Sequence, residues 1–255
     1  MKKPALFLCA ILTLLVFPAH AAMIVNDHFD DGSLDPAWNA TPIKNANGWT
    51  YQESGTNLTV TDINPINAPV PQNIMSNWAV IQLHRDFDPL SNFHLDFDMS
   101  WDEGPGGIYA IQRLDVRLGD GEGNDVAWAG YYNNWYGASG RRAAKASLTG
   151  PYTWGSIPAN GSGNIDIVRE NGKIDIYWND SLWVSALNDV LVEEVFINFG
   201  YYPYRSASIG TLSLDQVKLE STDLSATPEP GTMMLLGSAL GLGALIKRRR
   251  KKRAA

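Results

Sequence analysis

Residues 165–178 read IDIVRENGKIDIYW, and this stretch decides the fold class of the chain. Apolar and polar side chains alternate on both sides of Asn171 and Gly172, which is the pattern of two half-buried strands. Both central residues tolerate positive φ, as a two-residue type I′ turn requires. We therefore predict a β-hairpin. Its two strands would share one buried face, formed by Ile165, Ile167, Ile174 and Ile176.

The same alternation with period two recurs along the chain. Residues 93–99 and 114–118 both alternate between apolar and polar side chains, and glycine-rich segments follow each of them. Further strands are predicted near residues 182–186, 195–199 and 212–219. No stretch outside the two ends carries a long apolar stripe at helical spacing. The sequence therefore predicts an all-β domain, built as a two-sheet antiparallel jelly-roll sandwich.

The first 21 residues predict a signal peptide. Lys2 and Lys3 precede an apolar run over residues 5–17, and Ala-His-Ala at residues 19–21 is a small-x-small cleavage site. We expect cleavage after Ala21. The only cysteine of the chain, Cys9, lies within the apolar run. The exported domain can therefore form no disulfide, and its stability has to come from its core.

The other end of the chain has three parts. A Pro-Glu-Pro triplet is followed by an apolar run over residues 232–246 and a basic tail over residues 247–253. Fifteen helical residues rise about 22 Å, which is short of the ~30 Å hydrocarbon core. The basic tail nevertheless predicts a transmembrane helix with its C-terminus on the cytoplasmic side, because cations prefer that side and can snorkel. The membrane stop begins with Lys247, Arg248, Arg249 and Arg250.

Residues 226–255 resemble the PEP-CTERM sorting signal, with Pro228, Glu229 and Pro230 as its motif. The resemblance implies export in a Gram-negative bacterium and a transient anchor in the inner membrane. It also implies recognition by an exosortase and removal of the tail near the triplet. The product would reach the cell surface or the extracellular matrix. An uncut single-pass anchor is the alternative, and neither reading says what the delivered domain does.

Residues 22–225 between these segments form one predicted domain of a length typical of β-sandwiches. Residues 22–226 hold eleven Lys and Arg against twenty-six Asp and Glu, a net charge of −15. This balance keeps the domain soluble. It also excludes nucleic acid and anionic lipid as preferred partners.

Three stretches resemble concanavalin A-like (laminin G-like) jelly rolls. Residues 27–38 resemble the first strand and turn of these domains, the predicted hairpin with Trp183 resembles late strands, and residues 210–219 resemble the closing strand, which pairs with the first. In many sugar-binding members a structural calcium joins the first and last strands. The resemblance thus implies a possible calcium site at Asp27, Asp30 and Asp215. Acidic turn residues that only stabilise loops are the alternative.

Catalysis has little support in the sequence. Laminarinase-like hydrolases of this fold carry a Glu-x-Asp-x-Glu strand, and this chain lacks it. The nearest candidates are Asp96 and Asp98, with Asp102 and Glu103 beyond them. No Gly-x-Ser-x-Gly or His-Glu-x-x-His motif occurs. We therefore predict a protein that is not an enzyme, with an atypical glycoside hydrolase or lyase as the alternative.

Binding is better supported, because two segments are dense in aromatic residues. Sugar rings stack on aromatic faces, and such segments contain too many rings for all of them to lie in a core. The candidate ligand-binding residues are Trp128, Tyr131, Tyr132, Trp135, Tyr136, Tyr202, Tyr204 and Arg205. We predict an exposed aromatic platform for a polysaccharide ligand, the cell's own exopolysaccharide, and we assign Trp38, Trp178 and Trp183 to the core. A structural matrix protein without a specific ligand is the alternative.

Overall fold

The computed structural model describes residues 21–44, 49–55, 57–62, 79–102, 110–133, 141–203 and 210–223. The predicted signal peptide, except Ala21, and the predicted sorting segment lie outside these ranges. Ala21–Asp223 forms one compact unit of the chain. Within the described ranges, no helix is long and apolar enough to span a membrane.

Fifteen strands occur in the described residues. The first eight are β1 (Ala22–Asp27), β2 (Asn39–Lys44), β3 (Trp49–Ser54), β4 (Asn57–Asp62), β5 (Ala79–Leu90), β6 (Phe93–Asp102), β7 (Ala110–Gly119) and β8 (Asp125–Tyr132). The other seven are β9 (Arg141–Lys145), β10 (Thr153–Ser156), β11 (Asn160–Glu170), β12 (Lys173–Trp178), β13 (Ser181–Leu187), β14 (Val192–Pro203) and β15 (Leu212–Ser221).

These strands form two antiparallel sheets. The eight-stranded sheet has the order β13-β12-β11-β6-β15-β4-β3, and β1 pairs with β15 outside this path. The seven-stranded sheet has the order β10-β9-β8-β7-β14-β5-β2. The predicted all-β sandwich is confirmed. The first and last strands pair, with Asp27 opposite Val217, as the resemblance implied.

The hairpin that decided the fold class forms as predicted. Asn171 and Gly172 have φ values of 52° and 73°, so both central residues occupy the left-handed region that a type I′ turn requires. Strands β11 and β12 pair in the register that places Ile167 opposite Ile176. Both isoleucines are fully buried. The inward face of the hairpin thus belongs to the core, as the alternation of its sequence predicts.

The core lies between the two sheets and follows the alternation of each strand. In β6 every second residue from Phe93 to Trp101 is buried, and the residues between them are half-buried on the other face. Each fully buried large apolar side chain contributes roughly 1.5–3 kcal/mol to stability. Trp38 and Trp178 are buried in this core, and Trp183 packs against it. The assignment of these three tryptophans to the core is confirmed.

Tyr131 corrects one prediction of the sequence analysis. It was expected on an exposed platform, but it is fully buried and stacks on Trp101 with ring centroids 5.1 Å apart. The reason is the alternation of β8, which turns Tyr131 inward between Gly130 and Tyr132. Both faces of this strand are covered, so the density of aromatic residues reflects burial on two sides.

Candidate binding face of the seven-stranded sheet

The outer face of the seven-stranded sheet carries a charged row at its centre. In β7, Leu114, Val116 and Leu118 point into the core and are fully buried. The residues between them, Arg113, Asp115 and Arg117, therefore project from the opposite face. This is an i, i+2, i+4 set of polar side chains on one strand. Its composition is one carboxylate between two guanidinium groups.

Asp115 is fully buried, and it is the shared hydrogen-bond acceptor of the side chains around it. Its Oδ2 accepts a hydrogen bond from the Tyr132 hydroxyl at 2.9 Å, and its Oδ1 accepts one from Asn198 Nδ2 at 2.9 Å. Arg117 Nε also donates to Oδ1, and Arg113 Nε lies 3.6 Å from Oδ2. Burial opposes ionisation, but the two arginines and these hydrogen bonds hold the pKa of Asp115 below its usual value. The carboxylate is therefore ionised, and each of its two oxygens accepts a hydrogen bond.

Glycine at position 130 permits this packing. Gly130 lies opposite Asp115 in the pairing of β7 with β8. A Cβ atom at Gly130 would overlap the Leu114 carbonyl and the backbone of Asp115. The close approach of the two strands thus depends on the missing side chain.

Four aromatic rings form what we call the aromatic patch: Trp128, Tyr132, Tyr152 and Trp154. Ring centroids are 5.4 Å apart for Trp128 and Tyr152, and 5.7 Å apart for Tyr132 and Trp154. Trp128 and Tyr132 are 5.8 Å apart, and Tyr152 and Trp154 are 6.4 Å apart. These spacings are typical of interacting aromatic pairs, so the four rings form one connected group.

The aromatic patch has a buried layer and an exposed layer. Trp128 and Tyr132 are buried and form a small apolar cluster with Ala143, on the face opposite the main core. Tyr152 is 55% exposed and Trp154 is 39% exposed. The prediction that Trp128 and Tyr132 are themselves the exposed platform is therefore wrong. They lie beneath the rings that solvent reaches.

Sequence reasoning missed the two exposed rings because they lie outside the dense aromatic segments. Their signal was the spacing Tyr152-x-Trp154, in which Tyr152 directly precedes the edge strand β10 and Trp154 lies within it. Polar groups surround the patch. The Lys145 ammonium lies 5.6 Å from the Tyr152 ring centre, and the Arg117 guanidinium lies 5.3 Å from the Trp128 ring centre.

The other predicted binding residues are not located. Trp135, Tyr136, Tyr204 and Arg205 lie outside the described residues. Tyr202 belongs to β14, but its side chain is not among the parts that the structure describes. Their role in ligand binding stays a prediction.

The candidate catalytic carboxylates lie on the outer face of the other sheet. Asn164 Nδ2 donates to Asp96 Oδ1 at 2.7 Å and to Asp98 Oδ1 at 3.0 Å, so it bridges the two. Burial raises the pKa of Asp96, and the charges of Asp166 and Asp98 add to this effect. Asp102 is exposed at the end of β6. Glu103 lies outside the described residues.

The three predicted calcium ligands are not brought together. Asp27 accepts hydrogen bonds from Trp38 Nε1 at 2.8 Å and from the Phe29 backbone at 2.9 Å, while Asp30 is exposed. Burial and the charge of Asp98 raise the pKa of Asp215. Asp215 therefore belongs to the acidic surroundings of Asp98 on the outer face of the eight-stranded sheet.

One other group has the geometry of a metal site. Among the described residues, three side chains that place ligand atoms within 4.8 Å of one another are found at His84, Asp86 and Glu194. No local sequence pattern predicts this group, because Glu194 is remote from the other two residues along the chain.

The comparison with protein families concerns the end of the chain. The family described as the PEP-CTERM protein-sorting motif matches residues 226–251. This chain carries a PEP-CTERM sorting motif. The motif explains the order of the triplet, the apolar run and the basic tail, and it indicates export with processing by an exosortase. No curated protein matches this sequence.

Solved structures identify the fold of the exported domain. The CBM2 module of the evolved Dit protein of Lactobacillus casei BL23 phage J-1 has a TM-score of 0.56 and 7% identity, covering 78% of this chain and 95% of that one. The laminarinase from Rhodothermus marinus has a TM-score of 0.53 and 12% identity, covering 79% and 98%. SCLam, a non-specific endo-β-1,3(4)-glucanase from family GH16, has a TM-score of 0.54 and 10% identity, covering 81% and 93%. At these identities the likeness shows the fold alone, which is the concanavalin A-like jelly roll.

Proposed function

We propose that this chain is an exported, exosortase-processed protein of the cell surface or extracellular matrix whose jelly-roll domain binds carbohydrate without cleaving it. The observation that carries the proposal is the exposed layer of the aromatic patch. Tyr152 and Trp154 present two neighbouring rings to solvent, and a buried pair of rings supports them from below.

The chemistry of the patch suits a sugar ring. Aromatic faces bind the apolar C–H faces of pyranose rings, while nearby polar groups bind the hydroxyls. Lys145 borders Tyr152, and Asp125 receives a hydrogen bond from Arg117 at 2.6 Å beside Trp128. Donors and acceptors thus flank the rings on the same face of the sheet. The strongly acidic domain favours such a ligand over nucleic acid.

The fold supports the same ligand class. One structural neighbour is a CBM2 module, and two others are a laminarinase and an endo-β-1,3(4)-glucanase. The jelly roll of this chain is therefore an architecture on which glycan sites are built. The residues of those sites do not transfer at such low identity.

The absence of catalysis is proposed from the charges on the outer faces. On β7 the set Arg113, Asp115 and Arg117 has one carboxylate, whose pKa is lowered, so it cannot act as a general acid at neutral pH. One observation favours the second candidate, a glycoside hydrolase. Asp96 has a raised pKa, and Asn164 Nδ2 donates to both its Oδ1 and the Oδ1 of Asp98, so the two carboxylates lie close together on one face.

The sorting motif supplies the localisation. We propose that the basic tail from Lys247 holds the chain in the inner membrane after export, and that an exosortase cuts near Pro228, Glu229 and Pro230. The domain that is delivered would then meet exopolysaccharide outside the cell.

The test is a glycan array of bacterial and plant polysaccharides, probed with the domain of residues 22–225. This segment contains both sheets and the whole core, so it can be produced without the terminal segments. Trp154→Ala and Tyr152→Ala are compared with Tyr51→Ala, which removes an exposed tyrosine from the eight-stranded sheet. The array is run in EDTA and in CaCl2, so that any dependence of binding on calcium is measured. The same polysaccharides are assayed for new reducing ends.

Binding without new reducing ends, weakened at least tenfold by Trp154→Ala and Tyr152→Ala but not by Tyr51→Ala, supports the proposal. New reducing ends that disappear in Asp96→Asn would overturn it in favour of the hydrolase. Absence of binding to every polysaccharide would favour a structural protein of the matrix.

A further inference from the structure

Two neighbouring strands assemble a group of metal-ligand side chains on the outer face of the seven-stranded sheet. His84 and Asp86 stand two residues apart on β5, so they project from the same face. Glu194 lies on the adjacent strand β14, directly opposite Asp86 in the register. One ligand atom from each side chain lies within 4.8 Å of the other two. Because strand pairing sets these positions, the group is part of the folded sheet.

His84 is the centre of the group. Its Nε2 lies 2.8 Å from Asp86 Oδ1 and 3.2 Å from Glu194 Oε2. The imidazole stacks on Phe196, with ring centroids 4.6 Å apart and an angle of 16° between the planes. This stacking holds the ring in the orientation that directs Nε2 to both carboxylates.

Glu194 contributes a buried carboxylate to the group, and its Oε2 is the oxygen that faces His84. Its side chain is 9% exposed, and its Oε1 has no hydrogen-bond partner among the described residues. Gly119 of β7 lies opposite Glu194, and a Cβ atom there would overlap the carboxylate. The fold therefore makes room for a buried carboxylate without supplying enough donors. Such a group is costly unless a cation compensates its charge.

We propose that His84, Asp86 and Glu194 bind a divalent transition-metal ion of the Zn²⁺ type. One imidazole nitrogen and two carboxylate oxygens are suitable donors for Zn²⁺, whereas Ca²⁺ is bound by oxygen ligands. Tetrahedral bonds of about 2.0–2.2 Å place ligand atoms about 3.3–3.6 Å apart. The distances of 2.8 and 3.2 Å need to widen only slightly to reach that geometry.

The exposure of Asp86 makes the proposed site accessible from solvent. The Asp86 side chain is 71% exposed, His84 is intermediate and Glu194 is buried. An ion can therefore enter from the Asp86 side and keep its fourth position open to water or to a ligand. The group shares no residue with the aromatic patch, so the proposal stands independently of glycan binding.

The test uses the domain of residues 22–225 after dialysis against EDTA, titrated calorimetrically with ZnCl2, MgCl2 and CaCl2. His84→Gln and Asp86→Asn each remove one proposed ligand. Because the Asp86 side chain is exposed, Asp86→Asn should leave the stability of the domain unchanged. His94→Gln and Asp88→Asn are the matched controls. His94 also has a carboxylate partner, with its Nε2 2.7 Å from Asp166 Oδ1, but no described third ligand-type group joins this pair.

We expect one Zn²⁺ per chain, at least tenfold tighter than Mg²⁺ or Ca²⁺, and a higher melting temperature with zinc. Both ligand variants should weaken zinc binding at least tenfold, and both controls should leave it unchanged. No stoichiometric zinc binding by the wild-type domain, or equal zinc affinity in all variants, overturns the site. Tighter binding of Ca²⁺ than of Zn²⁺ overturns the proposed class of ion.

Discussion

The hydroxyl of Tyr132 donates a hydrogen bond of 2.9 Å to the buried carboxylate of Asp115. This bond joins the two features of the outer face, because Tyr132 belongs to the aromatic patch and Asp115 is the centre of the charged row. The ring of Tyr132 contacts the exposed Trp154, with centroids 5.7 Å apart. The buried ionic group thus holds in place the rings that support the candidate sugar platform.

Tyr132→Phe should therefore lower the free energy of unfolding by about 1–2 kcal/mol, because it removes a hydrogen bond to a buried charged group and keeps the ring. Urea denaturation of the domain measures the effect. Tyr152→Phe is the matched control, since it removes a hydroxyl from the exposed layer of the same patch and should change stability by less than about 0.5 kcal/mol. Equal losses of unfolding free energy in both variants would mean that the hydrogen bond to Asp115 does not contribute to stability.

Asp115→Asn should destabilise the domain more strongly, by about 3 kcal/mol, because it leaves Arg113 and Arg117 on this face without their shared carboxylate. The folded state lowers the pKa of Asp115, so its contribution is present above the unfolded pKa of about 4 and is lost as the pH falls through the folded value. Urea denaturation at pH 7 measures the loss. Asp125→Asn, at the more exposed end of the Arg117 pair, should cost less than about 1 kcal/mol. A comparable cost for Asp125→Asn would contradict the central role of Asp115.

Glu53 should have the opposite dependence on pH. Burial, with the charges of Asp27 and Asp31, raises its pKa to about 7 from 4.5. The folded state therefore binds the proton more tightly, so the contribution of Glu53 to stability is largest below pH 4.5 and decreases until the pH passes about 7. At pH 8 in EDTA, Glu53→Gln should be more stable than the wild-type domain by on the order of 2 kcal/mol, and at pH 4.5 the difference should vanish. Urea denaturation across this range measures it, and an unchanged difference at all pH values would contradict the assignment.

The sorting motif is tested on the full chain in an exosortase-containing Gram-negative host. Replacing Pro228 and Pro230 by alanine should prevent removal of the tail, because the Pro-Glu-Pro triplet is the part of the motif near which we propose the cut. Intact-mass measurement of the exported protein distinguishes the cut form from the uncut form. Replacement of the more distant Pro203, which ends β14, is the control. Normal processing of the Pro228 and Pro230 double variant would contradict the proposed role of the triplet.

The sequence was sufficient for the features that depend on local patterns. Alternation over residues 165–178 predicted both strands of the hairpin, its turn and its buried face, because side-chain direction in a strand depends only on the position along the chain. The pairing of β1 with β15 came from resemblance, since no local pattern states which distant strand is the neighbour.

The site could be predicted only in part, because burial depends on what covers each face. Trp128 and Tyr132 were expected to be exposed, but an outward direction in a strand does not mean exposure when Tyr152 and Trp154 lie above them. The group formed by His84, Asp86 and Glu194 could not be predicted for a related reason. Glu194 meets His84 only through the register of β5 with β14, which connects residues 110 positions apart.

The turn of the hairpin depends on glycine at position 172. Gly172 has a φ of 73°, which costs a side-chain-bearing residue about 1–2 kcal/mol, and a Cβ atom there would also meet Asp189. Gly172→Ala should therefore lower the free energy of unfolding by about 1–2 kcal/mol in urea denaturation. Glu170→Ala is the control, because Glu170 is exposed on the other side of the same turn and has no left-handed φ. It should change stability by less than about 0.5 kcal/mol. A loss in Gly172→Ala no larger than in the control would show that the hairpin tolerates another turn type, and the register of β11 with β12 would then depend on the isoleucine face alone.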